Sequence, residues 1–120
     1  MKKKLFKLII FIPQSHLEQL RIAICNAGAG RACPLREASR QAGKIGKYDN
    51  CTFMSSGIGT YRPLKGAKPF RGEEGKLERT GEARLETFVE KKALEKVIKA
   101  IRKVHPYEEP VIEVYNVTLR

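Results

Sequence analysis

Apolar side chains fill both alternating sets of positions from Leu5 to Ile12: Leu5, Ile9 and Phe11 on one, Phe6, Leu8, Ile10 and Ile12 on the other, with Lys7 the break. A strand apolar on both sides belongs in the middle of a sheet. The period then changes. Leu17, Leu20, Ala23, Ile24 and Ala27 recur at helical spacing, Ser15 and Glu18 have the spacing of a capping box, and Gly28 suits a helix stop. A first helix is therefore expected over 15–27.

A second strand is expected over 48–55, before a glycine- and proline-rich stretch, 57–75, that holds no period. A third is expected over 81–89, with Ala83, Leu85, Thr87 and Val89 on one side and Arg84, Glu86 and Phe88 on the other; 76–79 extends this ribbon or forms a hairpin with it. Leu94, Val97, Ile98, Ile101 and Val104 form the stripe of a second amphipathic helix, which Pro106 cannot continue, and a last strand follows over 111–119. The order βαββαβ predicts an α+β, ferredoxin-like fold: an antiparallel sheet with two helices on one face. Leu5, Ile9, Phe11 and Phe88 would then lie on the opposite face. Burying one such side chain is worth roughly 1.5–3 kcal/mol, so an uncovered cluster predicts an association surface and a homo-oligomer.

At 120 residues the chain has room for one core, and 1–120 is read as a single domain. Charge changes the picture more. Lys and Arg exceed Asp and Glu by 24 to 13, giving a net charge of +11 that could attract nucleic acid or an anionic surface. The cations are distributed as a tail, Lys2 to Lys4, and along the polar side of the second helix, Lys91, Lys92, Lys96, Lys99, Arg102 and Lys103, a pattern that a solvated surface also explains. A basic nucleic-acid-binding domain of the same fold stays as the alternative. It is the weaker one, because base stacking needs exposed aromatics on the central strands and the third strand offers only Phe88 beside the acidic Glu86.

Cys25, Cys33 and Cys51 form no CxxC pair and cannot all be joined in disulfides within one chain, so a reducing, cytoplasmic compartment is expected. The opening MKKKLFKLIIFIP is broken by Lys7 and ended by Pro13, which argues against a signal peptide, and no membrane partner is expected. The sequons at Asn50 and Asn116 are then chance matches.

The densest chemistry lies in His105-Pro106-Tyr107-Glu108-Glu109-Pro110. Two readings stand beside each other. His105 and Glu108 could ligate a divalent metal ion, the candidate cofactor, if further ligands came from elsewhere; or His105 could close the second helix, with Tyr107 anchoring the connection. General acid/base work by His105 finds no accompanying nucleophile. Gly57-Ile58-Gly59 could cradle an anion or supply bulge and turn glycines, and Cys25 and Cys51 read as buried apolar residues before nucleophiles.

Several phrases in one order are more specific: Asn26-Ala27-Gly28-Ala29-Gly30, Ile45-Gly46-Lys47-Tyr48-Asp49-Asn50-Cys51-Thr52-Phe53, and Gly59-Thr60-Tyr61-Arg62-Pro63-Leu64-Lys65-Gly66-Ala67. Pro69-Phe70, Gly75-Lys76-Leu77-Glu78, Ala83-Arg84-Leu85-Glu86-Thr87 and the segment from His105 to Pro110 continue them. Together they resemble the PII/CutA-like domain carried by YqfO-type members of the Nif3-like (NGG-interacting factor) family, here read as a stand-alone domain. The resemblance implies a ferredoxin-like domain that associates as a trimer. In the larger members this domain is inserted in a dinuclear-metal core that holds the metal ligands; that core is not among these residues. The chain is therefore expected to be not an enzyme but a module for a small ligand, a metal ion or a partner protein. The family motifs carry over to Tyr48, Cys51, Gly59, Arg62, Glu78, Arg84, Glu86, His105, Tyr107 and Glu108 as ligand-binding candidates. Arg84, Glu86 and Glu78 are expected to form a charge network around His105. Residues 31–43 depart from the family pattern as an insertion, with Pro34 suited to the first turn of an extra helix.

Overall fold

The computed structural model describes residues 3–27, 45 and 47–120. Its elements are β1 (Lys3–Pro13), α1 (Leu17–Asn26), β2 (Thr52–Tyr61), β3 (Glu78–Val89), α2 (Leu94–Val104) and β4 (Ile112–Leu119). The strands pair antiparallel in the order β2-β3-β1-β4, the expected ferredoxin-like arrangement with β1 central.

Register builds the core. Leu8, Ile10 and Ile12 stand opposite Thr87, Leu85 and Ala83, and these side chains share one face of the sheet. Leu20, Ile24 and Cys25 from α1 and Val97 and Ile101 from α2 pack into the same buried cluster. The stripe expected for α2 is thus the face that it buries, with Leu94 and Val104 half-buried at its margins. The His105 amide donates to Ile101 O at 2.9 Å, and Pro106, with no N–H, ends the helix.

Two elements differ from the sequence expectation for identifiable reasons. A 3-10 turn over Gln14–His16 precedes α1, so the cap position falls on His16 and the Ser15–Glu18 box does not form. Ser15 Oγ instead bonds with His16 Nδ1 at 2.9 Å, and Glu18 pairs with Arg21 at 2.6 Å. The second strand, expected over 48–55, starts at Thr52, because Asn50 takes the left-handed conformation (φ 55°) that asparagine tolerates and an extended run does not. From there β2 continues through Gly57 and Gly59 to Tyr61, paired with β3 throughout. The two glycines are ladder residues, neither an anion loop nor a turn. Gly28, the expected helix stop, and the 31–43 insertion lie outside the described residues.

The face away from the helices is more covered than the alternation suggested. Leu5 and Ile9 are only 5% and 4% exposed. Lys7 reaches Glu86 at 2.9 Å and lies 5.8 Å from the centre of the Phe88 ring, while Arg84 bonds Glu86 at 3.2 Å and lies over Phe11 at 5.7 Å. The aliphatic stems of these cations screen the strand beneath. Apolar exposure on this face is concentrated instead at Phe53 and Tyr115, toward the sheet edges. Among the described residues no helix is long and apolar enough to cross a membrane.

Candidate functional site

At the end of the sheet where β1 and β2 finish and β3 begins, the 62–77 connection folds back against the 105–111 connection. Gly75 N–H donates to Pro63 O at 2.8 Å, closing the base of the first segment, and Gly75 has the positive φ (79°) that this return requires. Lys68 N–H donates to Glu108 Oε1 at 3.0 Å, joining the two segments. Between them lies a cavity of about 330 Å³, walled by Phe11, Tyr61, Phe70 and Tyr107 and bearing the carboxylates Glu82, Glu108 and Glu109.

His105 is buried behind this wall. Its Nε2 bonds Phe11 O at 2.7 Å, and a carbonyl only accepts, so Nε2 carries the proton. Nδ1 is then the acceptor for Tyr107 N–H at 3.2 Å. Both ring nitrogens are committed, and the neutral ring ties the end of β1 to the connection after α2. Burial pushes the His105 pKa down, the Phe11 bond and the Glu82 charge oppose that, and His16 adds to it.

Tyr107 carries the adjoining bond. Its hydroxyl donates to Glu82 Oε2 at 2.5 Å, and burial, then this carboxylate, push the phenol far above its ordinary range. Tyr61 meets the Tyr107 ring at 5.9 Å and donates its hydroxyl to Arg71 O at 2.7 Å; its pKa too is raised, by burial and then by the Glu78 charge. Arg71 lies over Phe70 at 5.1 Å and donates to Thr80 Oγ1 at 3.2 Å. On the β2 side, a Cβ at Gly59 would overlap Glu82 Oε1, so glycine leaves room for the carboxylate.

Of the residues singled out in the sequence, Tyr107 and Glu108 line the cavity, His105 supports it from behind, and Gly59 borders Glu82. Glu78 is half-buried at the start of β3, paired in register with Tyr61, and Arg62 is exposed just past β2; neither lines the cavity. Tyr48 is 75% exposed and bridged to Ile45. Cys51 lies at the opposite end of β2, where it borders a shallower depression of about 250 Å³ with Lys7, Phe53, Glu86 and Phe88.

The charge network expected around His105 is therefore elsewhere. Arg84 and Glu86 stand opposite Phe11 and Ile9 on β1, and Lys7 is the cation that engages Glu86; holding that charge, with Arg84 beside it, lowers the Glu86 pKa. The carboxylate that does reach the His105 end is Glu82, on the same β3 face but opposite Pro13. It continues the alternation of Arg84 and Glu86, the one sequence signal that pointed to it; Phe11, Tyr61 and Phe70 likewise join the site only through the fold. Both ring nitrogens of His105, one half of the candidate metal pair, are bonded to the backbone, and among the described residues no group of three His, Cys, Asp or Glu is placed to hold a metal ion.

No family model matches the chain. A Bacillus subtilis protein named GTP cyclohydrolase 1 type 2 homolog is 45% identical over 111 residues, 92% of this chain and 26% of the relative. Its Halalkalibacterium halodurans counterpart is 41% identical over 94% of this chain and 27% of its own length. The chain thus spans about a quarter of the curated relatives it matches. Among solved structures, a Bacillus cereus protein related to NIF3 superposes with a TM-score of 0.73 at 37% identity, covering 98% of this chain and 26% of that one. CutA from Synechococcus elongatus (TM-score 0.63, 16% identity, 99% and 83% covered) and Bacillus subtilis GlnK (0.55, 15%, 96% and 86%) share the fold alone. Along nearly its whole length the chain is thus similar to about a quarter of these longer proteins, one of them related to NIF3, and it has the fold of CutA and GlnK.

Proposed function

We propose that this PII/CutA-like module is a non-catalytic homo-oligomer, a trimer, that takes a small ligand in the cavity between the 62–77 and 105–111 connections. One observation carries the reading: Phe11, Tyr61, Phe70, Tyr107 and Glu82, contributed by two strands, the end of a third and both connections, converge on a single space of about 330 Å³. A concave, largely apolar space with a few convergent polar groups is the ordinary form of a ligand site.

Chemistry favours binding over turnover. Among the described residues the lining contains no Ser, Cys, Lys or His side chain; its hydroxyls are Thr60 and two phenols raised away from neutral pH, and its carboxylates Glu82 and Glu108 already accept from Tyr107 and the Lys68 amide. The name of the longer relatives mentions GTP, yet among the described residues no Arg or Lys lines this cavity to meet a triphosphate. Self-association is supported by the apolar side chains exposed on the open sheet face, Phe53 and Tyr115, and by β2, a ten-residue edge strand.

The test is to denature the purified protein and compare the small molecules it releases, by mass spectrometry, with those released by Phe70→Ala. A compound carried by the native chain and depleted in the variant is expected. Identical fractions from both, or none from either, would contradict a ligand site at this place.

A further inference from the structure

Resting on that cavity being a ligand site, we infer that its ligand is an organic cation, an ammonium or guanidinium group carried on an apolar body. Among the described residues the charged side chains that line the cavity are all acidic, Glu82, Glu108 and Glu109, although the chain as a whole carries +11. Glu82 accepts from Tyr107 and Glu108 from the Lys68 amide, each through a single bond, and a carboxylate has room for further donors. The walls are aromatic, and a ring face attracts a cation while it packs against an apolar body.

The molecule already uses this chemistry at the rim. Arg71 sits over the Phe70 ring at 5.1 Å and Arg84 over Phe11 at 5.7 Å, so two of the four aromatic walls hold guanidinium groups of the chain itself. Among the described residues an anionic ligand would meet three lining carboxylates, with cations only at the rim, Arg71 and Arg84. A neutral ligand would satisfy the rings and leave the three carboxylates with only Arg71 and Arg84 at the rim as counter-charge.

Three probes on one body separate these cases: benzylammonium, benzyl alcohol and benzoate, titrated into the intact chain while the aromatic resonances of Tyr61, Phe70 and Tyr107 are followed by NMR. General electrostatics runs against the inference, because a strongly basic protein attracts benzoate, so a preference for the cation reports the cavity and not the net charge. Benzylammonium is expected to shift these resonances saturably, to bind tighter than benzyl alcohol, and to lose roughly tenfold in affinity in Glu109→Gln. Glu109 is exposed in the connection and has no structural bond to lose among the described residues. Benzoate or benzyl alcohol binding as tightly as benzylammonium at these resonances would overturn the cation and keep the ligand site. No shift with any of the three would overturn both.

Discussion

His105 holds the site in place by spending both ring nitrogens on the backbone, and that arrangement exists only while the ring is neutral. Burial keeps its folded-state pKa below the ordinary value of 6.5. As pH falls, the unfolded chain takes the proton first. The stability this histidine contributes is therefore full above its unfolded pKa and is lost as pH falls through that value, until the folded ring also protonates. Glu18 and Glu86, held below the usual 4.5 by Arg21 and by Lys7, act in a lower window. The urea midpoint should drop between roughly pH 7.5 and 5.5, and His105→Gln should flatten that drop while costing about 1–2 kcal/mol at neutral pH. An unchanged pH slope in the variant would show that His105 is not the group responsible.

At the level of elements, β2, β3 and the connection after α2 meet at one point: Gly59 makes room for Glu82, and Glu82 receives Tyr107. Tyr107→Phe removes the donor, and Gly59→Ala pushes the carboxylate away from it, so each should cost about 1–2 kcal/mol by chemical denaturation. Because both act on one bond, the double variant should fall short of the sum by roughly 1 kcal/mol; strict additivity would mean that the three elements are not coupled there. This junction also marks where sequence reading stops. Alternation in β1 and β3 and the stripe of α2 were legible, because each depends on neighbours along the chain. The course of β2 was not, since Asn50 turns the backbone before it and two glycines within it imitate a loop. Glu82 was passed over because its partner is 25 residues away and is reached only once the register is known. Arg84 and Glu86 share one strand face as expected, but the register sets them opposite Phe11 and Ile9, where Lys7, a mere break in an apolar run by sequence, engages Glu86.

Over the whole molecule, charge and apolar surface are distributed unevenly. The basic side chains Lys96, Lys99 and Arg102 gather on the outer side of α2, whereas the cavity bears carboxylates and aromatic rings. The sheet face away from the helices carries the Lys7–Glu86–Arg84 lattice at its centre and exposed Phe53 and Tyr115 toward its edges. That pattern needs less cover than the fully apolar face expected from β1, yet it still leaves large side chains and a long edge strand facing water. A homo-oligomer in which these surfaces meet, with the cavity available to a ligand, accounts for both features. The most direct test is a native mass spectrum of the purified chain, which reads subunit number and retained ligand together. The prediction is three copies of the 13.6 kDa chain with an additional small mass; a bare monomer at micromolar concentration would contradict it.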